Sequence, residues 1–146
     1  MRSRYATRKK FQNDPACRLT YHLDSSVAIL VRDGDPDTLE RLERLRGPVD
    51  ISIVTRVELE GGVYRDPAHA SLRRARLDRM LSLISVVPFD DACADAYRAI
   101  MRTNGYSRRR ILDRMIAAQA LSYGATLITG NGADFRDVRG LDLIEW

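Results

Sequence analysis

Four acidic side chains, Asp24, Glu58, Asp113 and Asp134, stand where apolar runs give way to helix starts or turns. Carboxylates gathered in one cleft repel one another and resist ionisation unless a cation sits among them. The cysteines, Cys17 and Cys93, lie far apart, and there are two histidines, so the donor set is oxygen. Oxygen donors suit Mg²⁺, with Mn²⁺ as the alternative, rather than zinc. Magnesium keeps several waters and shares its coordination with substrate phosphates, which fits phosphodiester hydrolysis. Each acid also has a structural explanation when taken singly. Asp24 fits an Asx turn, Thr55 to Glu58 a capping box in which Glu58 reaches back to the Thr55 amide, Asp113 an N-cap with Leu112 as hydrophobic staple, and Asp134 a turn. His22, two residues before Asp24, reads as a packed core residue or a support for the site, and His69 as a surface helix residue.

The elements that would carry these acids alternate between short apolar runs and amphipathic stretches. Leu19 to Leu23 reads as a strand ending at Asp24, and Ser25 or Ser26 can cap the helix that follows, Val27 to Arg32. Asp35-Pro36-Asp37 starts a second helix that Gly47-Pro48 stops. Ile51 to Val54 reads as a strand, and the helix from Thr55 carries Glu58 before Gly61-Gly62 weakens it. Ala68 to Leu83 is a helix with Arg73, Arg74, Arg76 and Arg79 as a basic surface, Ile84 to Phe89 a strand, and Asp90 to Thr103 a helix. Asp113 opens a helix whose acid-bearing side, Ile116, Ala117 and Ala120, is small and apolar, so that carboxylate needs a partner. Ala125 to Thr129 is a buried strand with Gly130 to Asp134 as the turn at its carboxyl end, and Leu141 to Trp146 is a last strand. The alternation predicts a three-layer α/β/α sandwich around a mostly parallel sheet of about five strands. All four acids fall at the carboxyl rim of that sheet, where open α/β folds bind ligands.

The 146-residue chain is 45% hydrophobic and 30% charged, which fits one domain with a real core. The first 18 residues hold six of the 24 Lys and Arg against one acid, so the rest carries 18 basic and 19 acidic side chains and is close to neutral. Residues 1–18 read as a basic, disordered arm and 19–146 as the folded domain. Phosphate contacts must then come from local arginines, above all Arg108, Arg109 and Arg110. There is no secretory h-region and no apolar run of membrane-spanning length, so a cytoplasmic location is expected.

The segments YHLDSS, SIVTRVELEGGV and DRMIAAQALSYGATLITGNGADF, in that order and spacing, resemble PIN-domain ribonucleases, in particular VapC-type toxins of bacterial toxin–antitoxin pairs. The resemblance covers Leu19 to Trp146. It implies a metal-dependent endoribonuclease in which Asp24 and Asp113 hold the ion, Glu58 and Asp134 help directly or through water, and Ser25, Thr129 and Asn131 support the site. Either Asn131 or Asp134 completes the pocket. The resemblance also implies an RNA substrate, a homodimer, and a small VapB-like antitoxin that wraps the toxin and places a basic side chain among the acids. The arm before Leu19 departs from the family, whose members begin almost directly with the first strand.

Two other classes share some of these features. A receiver-like regulatory domain would take a phosphoryl group on Asp24, but it needs a lysine at a late strand end, and none follows Lys10. A PIN-like binding module without activity would not need the complete set of acids.

Overall fold

A computed structural model describes residues 19–146. The expected arm, residues 1–18, lies outside the described residues. The chain runs β1 (Tyr21–Leu23), α1 (Ser25–Asp33), α2 (Pro36–Glu43), β2 (Val49–Ser52), α3 (Ile53–Tyr64), α4 (Ala70–Leu83), β3 (Ser85–Val87), α5 (Asp91–Asn104), α6 (Ile111–Tyr123), β4 (Thr126–Thr129) and β5 (Leu143–Glu145). Short 3₁₀ turns at Pro67–His69, Arg108–Arg110 and Gly132–Asp134 link some of these elements. The strands form one sheet in the order β3-β2-β1-β4-β5, and every pairing is parallel.

The three central strands, β1, β2 and β4, are short and buried on both faces, so their alternate residues feed two cores. Tyr21, Leu23, Ile51 and Ile128 point to one side, where Val27 and Ala28 of α1, Leu59 and Val63 of α3, and Leu77 and Met80 of α4 cover them. Leu127 points to the other side, against Ile116, Ala117 and Ala120 of α6, with Ile100 of α5, Phe135 and Val138 completing that layer. This is the expected α/β/α sandwich. From β1 the chain builds outward through β2 and β3, then crosses back to lay β4 against the other edge of β1. The β1/β4 junction is thus the point where the strand order reverses, and a crevice opens at its carboxyl end.

Several local expectations change. Asp24 itself caps α1, accepting from the Val27 amide, so neither Ser25 nor Ser26 is the cap. The cap of α3 is Ser52, whose hydroxyl accepts from the Val54 amide at 2.9 Å; the proposed box from Thr55 to Glu58 does not form because the helix has already begun. Gly61-Gly62 lie inside α3, which runs on to Tyr64. A Cβ on Gly62 would come within 3.2 Å of the Arg32 guanidinium of α1, and Arg73 of α4 donates to the Gly62 carbonyl at 3.0 Å, so packing overrides the glycine's poor helix propensity. The arginine surface of α4 is partly spent within the fold, since Arg74 pairs with Glu60 and Asp78. His22 is a core histidine, its Nδ1 2.5 Å from the Asp50 carboxylate on the neighbouring strand.

One polar residue ties the central layer together. Gln119 of α6 is fully buried; its amide nitrogen donates to the Val87 and Pro88 carbonyls at 2.7 Å each, and its carbonyl accepts from the Ser52 hydroxyl. Replacing it with the near-isosteric leucine strands the Val87 carbonyl and the Ser52 hydroxyl in an apolar setting. Gln119→Leu is expected to cost about 2 kcal/mol, read in urea as a lower midpoint at unchanged slope.

Candidate active site

The four acids reach the crevice from four elements. Asp24 follows the last residue of β1 and is 5% exposed, yet its carboxylate is tethered on every side. Oδ1 accepts from the Val27 amide at 3.0 Å and from the Ser26 hydroxyl at 2.6 Å, and Oδ2 accepts from the Thr129 hydroxyl at the end of β4. Thr129 Oγ1 in turn accepts from the Asn131 amide at 2.9 Å, and Ser26 Oγ from the Gly130 amide at 3.0 Å. The turn after β4 is therefore stitched to the first turn of α1. Glu58, in the second turn of α3, accepts from the Ser25 hydroxyl, which also approaches Thr55 Oγ1 at 3.4 Å. Asn131 donates to Asp134 at 2.5 Å, so both stand at this rim and are hydrogen-bonded to each other.

Asp113 is different. It does not open α6: the helix begins at Ile111, and Asp113 sits in its first turn without a capping bond. The Arg108–Arg110 turn leads straight into the helix and moves its start upstream of the acid. Among the described residues no hydrogen-bond donor reaches the Asp113 carboxylate, whereas each of the other three acids accepts at least one. Burial raises its pKa to about 6, and Asp134, Glu58 and Asp24, in that order, push in the same direction against Arg114. Asp113 is thus close enough to feel each of the other three acids.

Sequence reasoning missed three participants. Ser26, one of two helix-cap candidates by sequence, bridges Asp24 to the Gly130 amide; the signal for this role is a second hydroxyl directly behind a strand-end acid. Arg114 and Asp137, 23 positions apart, form a two-pronged ion pair at the edge of the cleft, and nothing in their local sequence announces it. Among the expected phosphate contacts, Arg110 turns toward Asp137 at 3.4 Å, while Arg108 and Arg109 are exposed and unpaired among the described residues. Beside Glu58 an apolar groove of about 290 Å³ is lined by Ile53, Val54, Val57, Phe89, Leu112 and Met115. Val57 is 64% and Leu112 44% exposed at its rim.

Among the described residues no three acids, histidines or cysteines close into a ready cage for an ion. What the rim offers is a set of carboxylate and hydroxyl oxygens beside one half-buried carboxylate that accepts no hydrogen bond from the described residues. That suits a hard divalent ion held by two carboxylates and completed by water, in the manner of magnesium, and not an all-protein site.

A family model described as the PIN domain matches residues 21–141. The chain belongs to the PIN-domain family. It is similar to "Ribonuclease VapC2" of Rickettsia felis, at 27% identity over 135 residues covering 88% of this chain and 98% of the relative. It is also similar to "tRNA(fMet)-specific endonuclease VapC" of Shigella flexneri, at 29% identity over 131 residues with the same coverage. Among solved structures, VapBC2 from Rickettsia felis bound to a promoter DNA fragment superposes with a TM-score of 0.77 at 26% identity, over 88% of this chain and 99% of the other. The expected PIN fold is borne out.

The state of Asp113 is open to a direct test in the metal-free protein. An unfolded aspartate titrates near pH 4, so between there and about 6 the folded state holds a proton that the unfolded state has released. Stability attributable to this group is fully present below about pH 4 and is lost as pH rises through the folded value. Asp113→Asn removes that loss. The variant is expected to be more stable than the wild type by about 1 kcal/mol at pH 7.5, with the gain vanishing by about pH 4. Thermal melts in EDTA across that range check it; a gain independent of pH would mean that Asp113 does not ionise under strain.

Proposed function

We propose that the chain is a divalent-metal-dependent endoribonuclease of the VapC type, with Mg²⁺ the ion it uses. The single observation that carries this reading is the convergence of Asp24, Glu58 and Asp134 on the half-buried Asp113 at the sheet's reversal point. Asp24 and Asp113 would hold the ion, with Glu58 and Asp134 acting directly or through water. A divalent ion there supplies Lewis acidity toward a phosphoryl oxygen and makes a water nucleophilic near neutral pH. The chain's own groups do the positioning. Thr129 and Ser26 fix both oxygens of Asp24, Ser25 orients Glu58, and Asn131 orients Asp134, so the carboxylates need little rearrangement as charge develops. Arg108 and Arg109, exposed just ahead of the helix that carries Asp113, can fork onto the RNA backbone.

The VapBC likeness and the apolar groove at Glu58 support a protein partner that covers the cleft, a small antitoxin of the VapB type; a homodimer is what the family resemblance adds. No helix of the described residues is long and apolar enough to cross a membrane, which is compatible with a cytoplasmic enzyme. The receiver alternative is weaker. Among the described residues there is no lysine, and Asp24 is enclosed by donors rather than presented to a phosphoryl donor.

Asp24→Ala and Asp113→Ala are each expected to abolish RNA cleavage and the growth arrest caused by expression, while far-UV circular dichroism remains that of a folded α/β domain. EDTA should stop the wild type and added Mg²⁺ or Mn²⁺ restore it; cleavage that persists in EDTA defeats the reading. Residues 1–18 contribute none of the proposed ligands, so a chain starting at residue 19 should fold and cleave a short RNA as before. Its affinity for nonspecific RNA should fall, with a shallower salt dependence, because fewer phosphates are neutralised. Failure of that shorter chain to fold would make the arm part of the domain.

A further inference from the structure

A buried cation beside the acidic cleft belongs to the chain itself. Arg114 follows Asp113 directly on α6, is 4% exposed, and interacts electrostatically with both Asp113 and Asp134. A buried guanidinium that turned onto Asp113 would find a carboxylate with no hydrogen-bond donor among the described residues. The resulting pair would be one that an incoming ion must break. The geometry points the side chain elsewhere. Its terminal nitrogens fork onto Asp137, Nη1 to Oδ1 at 2.8 Å and Nη2 to Oδ2 at 2.7 Å. Asp137 lies three residues beyond Asp134, and it is steadied from two more sides. The Asn104 amide donates to its carbonyl at 2.9 Å and its carboxylate at 3.3 Å, and Arg110 approaches at 3.4 Å. A two-pronged arginine–carboxylate pair is among the strongest and most directional contacts a side chain makes.

We propose that Asp137 is a positioning residue that withholds Arg114 from the Asp113–Asp134 side of the cleft, keeping the cleft's negative charge available to an external cation. This rests on the divalent-ion reading above. The cleft would then be self-blocking by default, and a carboxylate outside the ligand set would hold it open. A chain that lost Asp137 would keep every proposed ligand and still bind its ion poorly, because its own arginine would compete for the same oxygens. The competing account is mechanical: Asp137 is a latch that fixes the turn carrying Asp134, and the charge of Arg114 is incidental. The two accounts differ in what removing Arg114 does. Removing the competitor restores the cleft if the role is sequestration, and it leaves the turn unlatched if the role is mechanical.

The test uses the full-length protein and the metals alone, reading the melting-temperature shift across Mn²⁺ and Mg²⁺ titrations, with circular dichroism to confirm folding. Asp137→Asn is expected to need about tenfold more metal for the same shift, and adding Arg114→Gln in the same chain should bring the requirement back to that of the wild type. A double variant as insensitive to metal as Asp137→Asn overturns the proposal in favour of the latch, and so does an Asp137→Asn single variant that responds like the wild type. If Asp137→Asn does not melt cooperatively, Arg114→Gln alone decides. Its response should equal or exceed that of the wild type, and a weaker one overturns the proposal. The divalent-ion reading fails by a separate result, identical metal responses of the wild type and Asp113→Asn, which involves neither Arg114 nor Asp137 and takes the present proposal with it.

Discussion

Like charge held in a confined space is the constraint around which this domain is built. Asp113 is half-buried, receives no hydrogen bond from the described residues, and faces three other acids, so ionising it works against both desolvation and repulsion. Such an arrangement survives only if the surrounding structure holds it in place. Here the holding is done by hydroxyls at strand ends and first helical turns, which tie Asp24 and Glu58 to β4 and α1 without adding positive charge. Neutral donors fix the geometry and leave the field intact. A lysine or arginine in the same positions would have stabilised the protein and quenched the site.

The sheet order explains why these acids meet. Parallel strands put all their carboxyl ends on one rim, and the helices that return to them begin at that rim, so strand-end and first-turn residues share a surface. The crossover from β3 back to β4, beside β1, brings Asp24 and Thr129 into contact although 105 positions separate them. The two cores on either side have complementary tasks. The layer of α5 and α6 uses small residues, Ala117, Ala118 and Ala120, so that α6 can lie close enough to the sheet to deliver Asp113. The opposite layer carries the larger aliphatic burial and gives α1 and α3 a fixed seat.

Charge is also partitioned with some care at the edge of the cleft. Arg110, Arg114 and Arg136 are each engaged by an acid, whereas Arg108 and Arg109 are exposed. The PIN-domain membership makes sense of that partition. A nuclease needs positive charge where the backbone of its substrate runs and negative charge where its ion sits, separated by a few residues of chain.

Much of this was legible in the sequence, for identifiable reasons. Strands buried on both faces are short apolar runs, and their ends are marked by acids, hydroxyls and glycine, so Asp24, Thr129 and the turn to Asp134 could be assigned to one rim from local pattern alone. The sequence determined the alternation of elements, hence the α/β/α class, and the oxygen character of the donor set. Helix starts were less legible. Ser52 and Ile111 begin their helices earlier than the cap signals at Thr55 and Asp113 implied, because the chain's path out of β2 and out of the 3₁₀ turn is set by packing, and a capping residue is only one small contribution to where a helix begins. What only the tertiary structure decided is the pairing of residues remote in the chain: Ser25 with Glu58, Gln119 with Ser52, and Arg114 with Asp137. A hydroxyl, an amide or a guanidinium has the same local preferences whichever partner it finds. Its partner is fixed by where the sheet and helices bring the backbone, and no periodicity in the sequence carries that information.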